Sequence, residues 1–309
     1  MSRASTIGLA FCLWGATGIV HAQIEELPPV EDEVPDDGVR AREDTYETAR
    51  GMGMGAGARA SAVGTSAVAY NPANMPLAQL YHMESFASYM PQERAWTLGG
   101  TVADSVSNKI AAGLSFRGIY GGGNRNYRGY DGRLALGMPL SERIALGVSG
   151  RFLRLKSRQR NDDGERIGGN VKAFTLDAAI RITPAEGLHI AALGYNLIQT
   201  DTSIAPTLLG GSVSYSMGTT FSLAGDFFVD MTTFADPEFI FGFGGEYLAG
   251  GQVPIRIGFR REMGRDLNQI TAALGYVDQR LGIDIALRQD IASDTKETAI
   301  LAAFRYHVQ

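Results

Sequence analysis

The sequence predicts an all-β fold: an antiparallel transmembrane β-barrel of about fourteen strands with an N-terminal hatch segment in its lumen. Three observations predict it. Apolar and small or polar residues alternate with period 2 from Tyr81 onward, short and long connections alternate between these runs, and the face opposite the apolar stripe holds small and charged residues. Composition agrees, with 39 glycines against 11 prolines and no apolar run near the roughly 20 residues of a membrane-spanning helix. A net charge of -5 and the lack of a basic tract argue against nucleic-acid binding.

The chain opens as a secretory signal peptide over residues 1–22. Arg3 precedes a short apolar core, and Val20-His21-Ala22 supplies small residues at the cleavage site. Cys12, the one cysteine, lies inside it, so the processed chain has no disulfide. Residues 23–48 read as an acidic, proline-rich disordered periplasmic tail. Between 23 and 47 there are ten acids and two arginines, too much like charge and too little apolar surface to fold. Residues 49–80 are a hatch or plug built almost entirely of Gly, Ala, Ser and Met at its start, small enough to occupy a narrow space.

Residues 81–309 form the barrel. Strands are expected to start near residues 82, 94, 108, 130, 142, 171, 187, 207, 219, 238, 252, 268, 279 and 297. In one of them Phe174, Leu176, Ala178, Ile180 and Ile182 alternate with Thr175, Asp177, Ala179 and Arg181. Tight turns fall near 105–107, 139–141, 184–186, 218–219, 250–251 and 278–279. Longer polar loops fall at 121–130, 157–169, 199–206, 230–237, 261–268 and 289–297, in strict alternation after the first hairpin. Short periplasmic turns and longer outer loops have this asymmetry, which a water-soluble sandwich does not require.

Parity then assigns the side chains. Arg117, Arg151, Asp177, Arg181, Asp226, Glu246, Arg256, Arg260, Asp284, Arg288 and Arg305 point inward as a mutually neutralising lumen network. In the fifth strand the outward parity of Ile144, Leu146, Val148 and Phe152 continues into Arg154, Lys156, Arg158 and Arg160. These four cations project above the hydrocarbon band, placed to pair with lipopolysaccharide phosphates. Enzymatic chemistry is not expected: His82, His189 and His307 sit in separate strands or at their ends. The Asn161–Glu165 run lacks the ligand spacing of a calcium loop, so neither a metal nor another cofactor is called for.

Gly57-Ala58-Arg59-Ala60 followed by Tyr70-Asn71-Pro72-Ala73 resembles the outer-membrane long-chain fatty acid transporter family (FadL-like). Its members open with such a small-residue run and an Asn-Pro-Ala signature in the hatch of a fourteen-stranded barrel. The motif match covers about thirty residues, and the strand number reached from alternation alone agrees with it. The resemblance implies residence in the outer membrane of a Gram-negative bacterium and passage of a hydrophobic, fatty-acid-like small molecule. Asn71, Pro72 and Ala73 would shape the hatch, whose movement opens a route past Met75, Leu77 and Leu80. The same resemblance extends to relatives that act in protein secretion. The alternative is therefore a non-transporting scaffold for a secretion or envelope complex, docked to a periplasmic partner through the acidic tail.

Overall fold

The computed structural model describes residues 47–122, 127–158, 170–200, 202, 204–292 and 296–308. Residues 1–46, which include the expected signal peptide and most of the expected acidic tail, Arg160 and the Asn161–Glu165 run lie outside the described residues. Fourteen strands follow one another in chain order: β1 (Tyr81–Met90), β2 (Ala95–Asp104), β3 (Ala111–Tyr120), β4 (Tyr127–Pro139), β5 (Ile144–Ser157), β6 (Asn170–Ala185), β7 (Leu188–Tyr195), β8 (Leu208–Met217), β9 (Phe221–Asp230), β10 (Glu238–Ala249), β11 (Val253–Glu262), β12 (Leu267–Val277), β13 (Leu281–Asp290) and β14 (Thr298–Val308). Each pairs antiparallel with its sequence neighbours, and β1 pairs with β14 from Tyr81↔Val308 to Tyr89↔Ile300, closing the barrel. Closure leaves no sheet edge, which is the condition for a strand-built structure to sit in hydrocarbon.

Tyr81 and Val308 meet at one end, together with the connections 105–110, 140–143, 186–187, 218–220, 250–252 and 278–280; this is the periplasmic end. Three of these turns use left-handed glycines, at Gly187, Gly218 and Gly250-Gly251. The alternation of turn lengths is looser than the sequence suggests. The outer connection 263–266 is as short as the inner one at 140–143, because β11 and β12 stay paired up to Glu262↔Leu267. Asp266 adopts φ 50 and accepts an ion pair from Arg261, at 2.7 Å, which tightens that hairpin.

The outward face is apolar along nearly every strand, with Leu114, Phe116, Leu134, Val148, Phe174, Phe243, Ile257, Leu274 and Ile285 all exposed. Exposing this much apolar surface continuously is stable only if lipid is the solvent, so the chain is a transmembrane barrel of the outer-membrane type. Inward positions are small or charged. Gly113, Gly137, Gly147, Gly242, Gly244 and Gly258 lie where a Cβ would strike the segment inside the barrel; at Gly147 it would stand 2.1 Å from the Ala73 nitrogen.

That inner segment begins with Glu47 and Thr48, which end the acidic stretch in the sequence but are buried here. Two short helices, α1 (Ala49–Gly53) and α2 (Thr65–Tyr70), alternate with 3₁₀ turns at Arg59–Ser61 and Pro72–Leu77. Thr48 caps α1 by accepting from the Gly51 nitrogen, and Asn71 caps the second 3₁₀ turn by accepting from the Ala73 nitrogen at 3.1 Å. Helices this short do not form alone in water; their burial against the wall holds them. α1 rests on β11 to β14, α2 on β1 to β4, and the two 3₁₀ turns on β3 to β9, so the segment plugs the lumen from all sides.

Candidate functional site

The plug is organised around Arg59. Its Nη1 donates to Asp226 Oδ2 at 2.7 Å and to the Ala56 carbonyl at 2.6 Å, and its Nε donates to the Tyr195 hydroxyl at 3.0 Å. The guanidinium also lies over the rings of Phe228, Tyr70 and Tyr195, with 4.6 Å to the Phe228 centroid. Ser212 donates its hydroxyl to Asp226 and accepts from the Ala60 nitrogen at 2.7 Å. The Arg59 carbonyl accepts from Asn71 Nδ2 at 3.1 Å and from Asn74 Nδ2 at 2.9 Å. Asn71 and Asn74 thus fold the second half of the plug back onto the first. Pro72 supplies the fixed φ of a helix start, and Ala73 is small enough to lie on Gly147.

Arg50 and Glu47 also form ion pairs with the wall. Arg50 donates from Nη2 to Glu246 Oε1 at 3.0 Å, and Glu47 pairs with Arg288 at 2.7 Å and with Arg260 at 3.7 Å. Tyr70 packs its ring on Gly51, where a Cβ would stand 2.2 Å from the phenol oxygen, and that oxygen accepts from the Thr48 nitrogen at 3.3 Å. Burial first, and the nearby Glu47 carboxylate second, push the Tyr70 phenol up from its ordinary value, so it remains a neutral hydroxyl.

All eleven charges assigned to the lumen by parity face inward, and the structure resolves all of them but Arg181 into ion-paired groups. Glu246, Arg256, Asp284 and Arg305 form one chain, with Arg256 2.5 Å from both carboxylates and Arg305 continuing to Glu84 at 3.7 Å. Arg117 and Arg151 share Asp131 at 2.6 and 2.8 Å, while Arg133 bridges Asp177, at 3.1 Å, and the Ala69 carbonyl of the plug, at 2.7 Å. Arg181 donates to Thr183 at 2.6 Å. Buried charges tolerate the lumen because each meets a countercharge or a polar partner. The sequence assigned no contact to Glu47, Arg50, Arg59 (named only within the Gly57–Ala60 motif), Glu84, Asp131 and Arg133. The last three lie at inward parity and were open to the same reasoning; the first three sit in an aperiodic segment that offers none.

The three residues expected along the hatch route are not brought together. Met75 is fully buried with Val68, Ala103, Ala111 and Ala135. Leu77 lines a cavity of about 190 Å³ at the periplasmic end together with Arg50, His189, Phe221 and Glu246, and Leu80 stands 38% exposed below the plug. His82 and His307 face each other across β1 and β14 with ring centroids 4.4 Å apart, and His189 Nδ1 lies 3.0 Å from Thr183 Oγ1. Among the described residues no cluster of three or more His, Cys, Asp or Glu could hold a metal ion.

In its outer third the barrel changes character. Leu153 and Leu155 point inward and pack with Tyr127, Ala173, Ile204 and Ala205, while Arg154, Lys156 and Arg158 on the same stretch are exposed outside. An apolar patch therefore lines the inner wall directly above the Arg117–Asp131–Arg151 cluster. The signal was in the sequence: from Phe152 onward β5 exchanges which parity is greasy.

No family model matches the chain, and no curated protein matches it in sequence. Solved structures do match in fold. The Ralstonia pickettii toluene transporter TbuX superimposes with a TM-score of 0.61 at 12% identity, over 85% of this chain and 98% of that one. The Pseudomonas putida toluene transporter TodX gives 0.58 at 10% identity over 84% and 97%, and a Pseudomonas aeruginosa FadL homologue 0.53 at 10% over 84% and 97%. The chain thus has the fold of the FadL-type outer-membrane transporters.

Proposed function

We propose that this barrel passes hydrophobic small molecules across the Gram-negative outer membrane, receiving them on the inner patch of Tyr127, Leu153, Leu155 and Ala173. The observation that carries this reading is the inversion in β5, which puts greasy side chains inside the barrel, packed beneath Ile204 and Ala205 of the connection between β7 and β8. Displacing Ile204 and Ala205 would open these side chains as an apolar pocket, which is what an apolar ligand recognises. The fold shared with two toluene transporters supports the same class of cargo. Below the patch the charged clusters and the plug bar a straight path, so passage requires the plug to shift about its Asn71-Pro72-Ala73 turn.

Equilibrium binding of labelled toluene, a long-chain fatty acid and a disaccharide to the detergent-solubilised protein tests this. Saturable binding of one or both hydrophobes, lost in Leu153→Asn/Leu155→Asn and absent for the sugar, is expected. Binding of the sugar alone, or hydrophobe binding indifferent to both leucines, would overturn the reading.

A further inference from the structure

A cluster of cations occupies the outer surface of β4, β5 and β6 just above the apolar band. Arg128, Arg154, Lys156, Arg158 and Lys172 are all exposed there. The register places Arg128 directly opposite Lys156 and Arg154 directly opposite Lys172. Like charges at directly opposed positions of a sheet repel and destabilise it, so two such neighbouring pairs are a cost that the fold alone does not explain. Among the described residues, Arg128, Arg154, Lys156 and Lys172 make no ion pair.

The level of the cluster matters as much as its charge. Beneath it runs an aromatic row in which Tyr130 lies 5.9 Å from Phe116 and 6.0 Å from Phe152 by ring centroid, with Phe174 opposite Phe152. Aromatic girdles mark the boundary between hydrocarbon and headgroups. Each two-residue step above Phe152 climbs about 6.7 Å along the strand, or roughly 5 Å along the membrane normal at the usual tilt. Arg154, Lys156 and Arg158 thus rise through the headgroup layer of the outer leaflet, beside the end of the barrel opposite the termini.

We infer that this surface is a docking site for lipopolysaccharide, whose lipid A phosphates bridge the two opposed cation pairs. Arg and Lys donate charge-assisted hydrogen bonds to phosphate oxygens, and a phosphate between two cations converts their repulsion into attraction. The site is separate from the lumen and independent of whatever the barrel transports.

The test uses the full-length protein extracted from outer membranes. The combined Arg128→Gln/Arg154→Gln/Lys156→Gln/Lys172→Gln variant is expected to retain lipopolysaccharide at least about tenfold less than wild type. Lys109→Gln/Arg143→Gln/Arg280→Gln, on exposed residues of the periplasmic turns, should retain it fully. In lipopolysaccharide-free micelles the fourfold variant should melt no lower than wild type, since it has lost only repulsion. Bisphosphorylated lipid A should raise the melting point of wild type alone, and dephosphorylated lipid A that of neither. Undiminished retention by the fourfold variant, equal loss in the periplasmic-turn control, or an equal shift with dephosphorylated lipid A or phosphatidylglycerol would overturn the inference. If the fourfold variant does not fold, the comparison of lipid A forms on wild type decides alone.

Discussion

Replacing Arg59 with methionine removes the centre of the plug while keeping an apolar body of similar length. The change takes away the 2.7 Å ion pair to Asp226, the bonds to Tyr195 and the Ala56 carbonyl, and three ring contacts. It leaves the Asp226 carboxylate buried with only the Ser212 hydroxyl and the backbone nitrogen of residue 59, at 3.4 Å, as partners. Breaking a buried pair from one side costs about 3–5 kcal/mol. At 1.4 kcal/mol per power of ten, the population with the plug undocked rises about a hundred- to a few-thousandfold. The fourteen-strand ring does not depend on this contact, so the barrel should still run as a heat-modifiable folded species. The readouts are trypsin cleavage after Arg50, protected while the plug is docked, and ion conductance in planar bilayers; both should increase. Arg59→Met/Asp226→Leu, in which no charge is stranded, should recover most of the protection, because apolar replacement of a buried pair is often neutral. An Arg59→Met protein with wild-type protection and conductance would refute the assignment of Arg59 as the plug's anchor.

Three other perturbations follow from the same geometry. Gly147→Leu drives a side chain into the Pro72–Ala73 backbone and should cost about 1–3 kcal/mol of plug docking, seen as the same trypsin sensitivity without loss of the barrel. Ile257→Lys, at the middle of β11 and 67% exposed on the outer face, should lower folding stability in liposomes by about 2–4 kcal/mol while leaving an intact fold in short-chain detergent. Asp278 accepts from the Leu281 and Arg280 nitrogens at 2.8 and 2.7 Å in the last periplasmic turn, and these backbone bonds hold its carboxyl below the usual range. Its contribution is therefore present above the unfolded carboxylate pKa of about 3.9 and lost as pH falls through the lower folded value. Asp278→Asn should melt below wild type at neutral pH and match it in strong acid.

Most of the barrel was legible because lipid imposes a two-valued rule on every strand residue. β6 shows it plainly: Phe174, Leu176, Ile180 and Ile182 face out and Asp177 and Arg181 face in, so a single shift of register would put charge into hydrocarbon. Strand starts were found to within about three residues for the same reason, and the misjudged hairpin at 263–266 arose because polar ends of β11 and β12 look like loop. The plug obeys no such rule. Its contacts join residues far apart in sequence, as Arg59 joins Asp226 and Arg50 joins Glu246, and no local spacing encodes them. The inner patch falls between the two cases: Leu153 and Leu155 lie in a readable alternation, but the cations interleaved with them make the stretch read as a solvated hairpin arm.

Uptake by whole cells puts the transport reading at most direct risk. In a Gram-negative strain stripped of its own hydrophobe channels, expression of wild type should speed entry of labelled toluene or long-chain fatty acid above the empty-vector rate. Leu153→Asn/Leu155→Asn, inserted in the membrane to the same level, should fall back to that rate. Equal entry with and without the protein for both cargoes would contradict the account.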